Sequence, residues 1–246
     1  MDAENVSLKE YPVWDAGVRI FHWVNLLSVL GLVAIGVVIL NAKALGVSTE
    51  GKILLKTWHV YFGYIFVINL AWRLVWAFIG SQYARWKYIV PFGADYKAHM
   101  CQMLAARKQK KNIYFLAHNP LARLMVLLLF VLLTIQGVTG LVLAGTDVYM
   151  PPFGQAIAEW VSEDKAKVDD VKPYSKENIN EASYKEMRAL RKPIVETHEI
   201  VFYLLVLAIV LHIAGVVVSE IRERNGIVSA MVTGKKVFPE KPVDCD

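Results

Sequence analysis

Four stretches of this chain are nearly free of charge. Ile20 to Ala42, Leu124 to Thr146 and Ile200 to Ser219 contain no Asp, Glu, Lys or Arg, and Thr57 to Gly80 is interrupted only by Arg73. A helix needs about 20 mainly apolar residues to cross a bilayer, and each stretch reaches that length. Backbone groups in lipid must find partners within their own segment, so the stretches are predicted as helices. The pattern predicts an all-α, integral membrane four-helix bundle forming a single membrane domain. Its spans cover about 18–42, 57–80, 121–145 and 195–219. A loop over 81–118 joins the second and third spans, a long loop over 146–193 joins the third and fourth, and a tail covers 220–246. The first span lacks a basic leader and a small-residue cleavage site, and reads as a retained helix rather than a signal peptide.

The polar remainder predicts an orientation. Arg85, Lys87, Lys97, Arg107, Lys108, Lys110 and Lys111 crowd the 81–118 loop against the single acid Asp95, and the tail is also basic. The long loop balances acids with bases. The positive-inside rule therefore places both termini and the 81–118 loop in the cytoplasm, and the 146–193 loop outside. Within the long loop, EASYKEMRALRK (181–192) reads as a short helix, and the loop as a whole reads either as a docking surface or as a loosely ordered connection. Trp14, Trp23, Trp58, Trp76 and Trp86 lie near span ends, where interfacial anchors are common. Asn119-Pro120 is a favourable entry into the third helix.

Composition agrees with a membrane protein: 56% of residues are hydrophobic and 20% charged. The formal net charge of +5 belongs to the loops that set topology, and no nucleic-acid partner is expected. Cys101 and Cys245 lie outside the spans, and the absence of C-x-x-C-H excludes covalent c-type haem attachment.

The histidines carry the chemistry. In the predicted orientation His22 lies near the inner end of span one and His59 near the outer end of span two. His198 enters span four from outside, and His212 lies fourteen residues further on, about 21 Å deeper along a helix. Four histidines thus sort by depth into two pairs, His59 with His198 and His22 with His212. Fourteen residues also return a helix to within about 40° of its starting direction, so His198 and His212 share a face. Ionisable groups at membrane depth face the bundle interior and mark function. Pairs of imidazoles between facing helices suit the two axial positions of haem iron, whereas zinc wants four ligands together. Gly63 and Gly215 sit on the faces of His59 and His212, where they either admit a flat macrocycle or serve ordinary helix packing. Arg73 is fourteen residues after His59 and is a candidate partner for haem propionates; Arg19 and Arg123 are further candidates. His118 reads as an interfacial entry residue or as a contact to a propionate or quinone headgroup.

The motifs VWDAGVRIFHW (13–23), TWHVYFGY (57–64), HNPLARLM (118–125), the His198–His212 spacing and the closing EIRERNGIVSAMVTGKK (220–236) resemble the b-type cytochrome subunit of respiratory nickel-iron hydrogenases, within the bacterial cytochrome b561-like dihaem membrane proteins. The resemblance covers nearly all of the chain except the long loop. It implies a multi-pass protein of the bacterial inner (cytoplasmic) membrane that binds two haem b groups non-covalently. His22 and His212 would ligate the inner iron, and His59 and His198 the outer iron. It further implies electron transfer between a periplasmic redox partner and the quinone pool, with a quinone site near His212, Arg73, Arg19 and His118. The partner implied is a hydrogenase small subunit; a multihaem cytochrome c or a formate dehydrogenase would use the same wiring. A histidine-relay proton-coupled transporter and a redox-inactive membrane anchor are the competing functions.

Overall fold

The computed structural model describes residues 8–245. The outermost terminal residues, on which the expected cytoplasmic position of both ends bears in part, lie outside the described residues. A short strand β1 (Lys9–Pro12) precedes the helices α1 (Ala16–Leu40) and α2 (Thr49–Ile79). A 3-10 turn (Gln82–Ala84), α3 (Trp86–Ile89) and α4 (Ala94–Lys108) follow, then α5 (Pro120–Val148). The chain continues through α6 (Gly154–Val161), a 3-10 segment (Lys165–Asp170), the long α7 (Glu181–Glu223), α8 (Ile227–Thr233) and strand β2 (Lys235–Phe238). Among the described residues, α1, α2, α5 and α7 are the 4 helices long and apolar enough to cross a membrane, and they fit a membrane helix bundle. Large apolar side chains such as Leu27, Ile68, Phe78 and Ile200 lie exposed along them, as expected of surfaces whose solvent is hydrocarbon.

Each long helix begins on a polar cap. The Asp15 carboxylate accepts from Val18 N at 2.8 Å, Ser48 Oγ from Gly51 N at 3.1 Å, Asn119 Oδ1 from Ala122 N at 2.9 Å, and Asn180 Oδ1 from Ser183 N at 3.0 Å. Such caps satisfy backbone donors that the first helical turn leaves free. They also explain why α2 and α7 start well before their apolar stretches: the hydropathy change marks a solvent boundary, and the cap marks the helix end. Burial alone would raise the Asp15 pKa, but hydrogen bonds from Ser81, Val18 and Trp76 outweigh it and hold the carboxyl below its ordinary value.

The chain divides into two compact units. The first comprises residues up to Trp23, Ala71–Val131 and Leu205 onward; the second comprises Val24–Leu70 and Leu132–Leu204. In the first unit, β1 and β2 pair antiparallel, Lys9 opposite Phe238 and Pro12 opposite Lys235. They close over a core of Val13, Trp14, Val18, Leu116, Ala230 and Phe238. Trp14 is therefore a core residue and not the interfacial anchor its position suggests. Trp76 also turns inward, donating through Nε1 to the Asp15 carboxylate at 3.1 Å. The tail is stitched to the segment before α5. Lys236 Nζ donates to the carbonyls of Leu116 (2.8 Å) and Ala117 (3.0 Å), while the Asp244 carboxylate accepts from Leu116 N (2.5 Å) and Ala117 N (2.9 Å).

In the second unit, the segment between α5 and α7 is folded. Ala158 and Val161 of α6 pack with Val171 and with Met187 of α7. Residues 181–192 are helical as the first turns of α7. Tyr64 Oη donates to the Pro151 carbonyl at 2.5 Å, tying this segment to α2. Asp147 accepts from Lys56 Nζ at 2.5 Å and from Arg191 Nε, joining α5, α2 and α7 through one carboxylate.

Candidate functional site

The second unit brings His59 of α2 and His198 of α7 together, with ring centres 6.5 Å apart and planes inclined at 73°. Two imidazoles on opposite sides of one metal, each bonded through nitrogen at about 2 Å, place their ring centres about 6 Å apart. The observed spacing fits that arrangement. His59 Nδ1 is buried and has no hydrogen-bond partner. A side-chain carbon on Gly36 would meet His59 Cε1 at 3.4 Å, and one on Gly140 would meet His198 Cε1 at 3.4 Å. These glycines let α1 and α5 lie against the two rings. At Gly63, one turn after His59, an added carbon would meet nothing within 4 Å, so open space flanks the ring. Both nitrogens of His198 are engaged: Thr139 Oγ1 lies 2.8 Å from Nδ1, and Gln136 Nε2 lies 3.0 Å from Nε2.

The first unit holds His22 of α1 and His212 of α7 within electrostatic reach of one another. His22 Nδ1 is buried without a partner, and open space adjoins Gly215, three residues beyond His212. Arg73 of α2 is only 4% exposed. Its guanidinium lies over Phe21 (5.8 Å) and Phe130 (5.6 Å) and donates through Nη2 to the Ala84 carbonyl at 3.1 Å. Arg73 Nη1 is buried with no partner. A buried guanidinium with a spare donor is suited to an anionic group such as a propionate. Arg19 donates through Nη1 to the Val232 carbonyl and keeps Nε buried and unpartnered. Arg123 is committed to the chain: Nε donates to the His118 carbonyl at 3.3 Å and Nη1 to the Lys87 carbonyl at 3.4 Å.

His118 packs against Trp14 with ring centres 4.9 Å apart, and its Nδ1 is buried without a partner. Burial, reinforced by the positive charge of Lys236, Arg123 and Arg73 and by His212, pushes its pKa down to about 3. His118 is therefore neutral at physiological pH and offers a hydrogen bond instead of a charge. Lys236 is pushed down to about 8, chiefly by burial.

Gly36 and Gly140 are among the small positions the sequence offers for close approach of rings or helices; hydropathy and histidine spacing do not single out Gln136, Thr139, Asp147 or Lys236. Two signals were available: Gly36 stands fourteen residues after His22, the same spacing that links His198 to His212, and Gln136 and Thr139 form a polar i, i+3 pair in an otherwise apolar helix.

The sequence signature described as prokaryotic cytochrome b561 matches residues 13–234. The probable Ni/Fe-hydrogenase B-type cytochrome subunit of Cupriavidus necator is 25% identical over 246 residues, covering 97% of this chain and 91% of that protein. Its counterpart in Rhizobium leguminosarum bv. viciae is 24% identical over 241 residues, covering 93% and 90%. The probable Ni/Fe-hydrogenase 1 B-type cytochrome subunit of Escherichia coli (strain K12) is 29% identical over 156 residues, covering 58% and 64%. No solved structure matches the chain. The signature takes in all four long helices and both histidine pairs, and the chain belongs to the prokaryotic cytochrome b561 family.

Proposed function

We propose that this protein is a dihaem b subunit that carries electrons across the bacterial inner membrane between a periplasmic hydrogenase and the quinone pool. The observation that carries the reading is the His59–His198 pair, whose 6.5 Å ring spacing fits axial ligation of one iron. His22 and His212 make the second pair, and α7 supplies one ligand to each. The names of the relatives support a hydrogenase as the partner. The distribution of basic residues supports a cytoplasmic 81–118 loop and tail, with the folded 149–180 segment on the periplasmic side, where it would meet the partner.

Bound haem would supply one-electron transfer. The chain's own residues do the rest. His22, His59, His198 and His212 would supply the nitrogens that hold the two haems, and Gly36 and Gly140 admit the His59 and His198 rings between helices. Arg73 supplies a fixed positive charge and a spare donor for propionates, with Arg19 Nε as a second donor. The apolar helices exclude water, which keeps that charge unscreened. At the quinone end His118, held neutral, acts as a hydrogen-bonding contact to the headgroup.

The test is a dithionite-reduced minus oxidised spectrum of the purified protein together with its haem-to-protein ratio. The expected result is b-type bands and about two haems per chain. A protein that is folded yet haem-free sinks the reading. Co-purification from native membranes identifies the partner, a hydrogenase being expected and a formate dehydrogenase or cytochrome c being the alternatives.

A further inference from the structure

We infer that Thr139 is a positioning residue that fixes the tautomer of His198 and thereby lowers the reduction potential of the haem held by the His59–His198 pair. The inference rests on the dihaem reading above.

The Thr139 hydroxyl has one hydrogen. It lies 2.7 Å from the Ile135 carbonyl and 3.2 Å from the Gln136 carbonyl, both of which can only accept. With its hydrogen directed to that turn of α5, Oγ1 meets His198 Nδ1 at 2.8 Å as an acceptor. Nδ1 therefore carries the proton, and Nε2 is the nitrogen with a lone pair. The Gln136 amide nitrogen, 3.0 Å from Nε2, is compatible with the same tautomer, and it turns aside when Nε2 binds iron. The ring is thus held with its ligating nitrogen deprotonated and its other nitrogen anchored to the protein.

The contact is partly buried. Gly140 presses the α5 backbone to the His198 ring, so Thr139 cannot be replaced there by solvent without moving the helix. An acceptor on the distal N–H raises the basicity of a ligating imidazole and favours the more oxidised metal. The other candidate ligands differ: His22 Nδ1 and His59 Nδ1 are buried with no partner in the protein. The protein therefore supplies this hydrogen bond to His198 and withholds it from His22 and His59.

The experiment is a potentiometric titration of the b-band absorbance in the haem-loaded wild type, T139V and T139S, with the haem-to-protein ratio measured for each. T139V keeps the volume and removes the hydroxyl. It is expected to shift one component of the titration upward and leave the other in place, with T139S restoring the wild-type value. Loss of one haem from T139V but not from T139S also supports the positioning role, because serine keeps the hydroxyl that valine lacks. Unchanged components in T139V with both haems present overturn the inference and leave the dihaem reading standing. A wild type lacking two haems overturns the reading itself, and the inference with it.

Discussion

Gly36 of α1 faces His59 of α2 so closely that a methyl group added to the glycine would stand 3.4 Å from the imidazole Cε1. A methyl there would already touch the ring, and a branched side chain reaches beyond that contact. Gly36→Val is expected to displace His59 from its position opposite His198 while sparing the His22–His212 pair in the first unit. The haem-to-protein ratio should fall by about half. Retention of both haems at wild-type potentials would remove the steric role assigned to this contact.

Arg73 sits over Phe21 and Phe130 with one nitrogen donor buried and unused. A fixed cation favours the reduced, less positive iron. Arg73→Gln is therefore expected to lower the potential of one component by about 50–100 mV, the scale of one charge at moderate dielectric. Redox titration reads the shift directly, and a variant with both potentials unmoved argues against a propionate role.

His118 makes stability depend on pH in a defined window. Its pKa is about 3 in the folded protein against an ordinary 6.5, so between these values the unfolded chain binds the proton and the folded one does not. Stability is fully present above pH 6.5 and falls on acidification, at up to about 1.4 kcal/mol per pH unit. Thermal unfolding in detergent between pH 6.5 and 5 should show this slope, and His118→Gln should flatten it. An equal slope in the variant would assign the acid sensitivity to other groups.

Asp147 holds Lys56 and Arg191 together, all three side chains being mostly withdrawn from solvent. Asp147→Asn leaves two neighbouring cations without their shared counter-charge. A loss of about 2–3 kcal/mol is expected, below the range for fully buried pairs because each group keeps some solvent contact. Unfolding of the detergent-solubilised protein measures it, and the double variant D147N/K56M should recover part of the loss.

What was legible in the sequence follows from local physics. Hydropathy along one chain reports which segments leave water, so the four long helices could be read directly. Helical periodicity relates residues on the same helix, so the shared face of His198 and His212 followed from their spacing. Contacts between helices depend on how each is rotated about its axis, and no single segment carries that information. Thr139 against His198 and Gly36 against His59 belong to this class. Trp14 shows the same limit from the other side. Its place beside an apolar stretch suggests an interfacial anchor, but strands β1 and β2, separated by more than two hundred residues, fold over it and make it core. Residues 181–194 are polar and nonetheless continue α7, because Asn180 caps the helix there and water tolerates a helix as readily as a loop.

The pairing of Lys9–Pro12 with Lys235–Phe238 has a bearing on how the protein is made. Lys9–Pro12 must wait through more than two hundred residues of synthesis before its strand has a partner. Lys236 and Asp244, which hold Leu116 and Ala117 in place beside His118, arrive at the same late moment. The contacts around His59 and His198 use no residue beyond position 204, whereas the surroundings of His118 need Lys236 and Asp244. Biosynthesis thus imposes an order on the two compact units, and an interrupted chain would lack the strand and tail contacts of the one around His118.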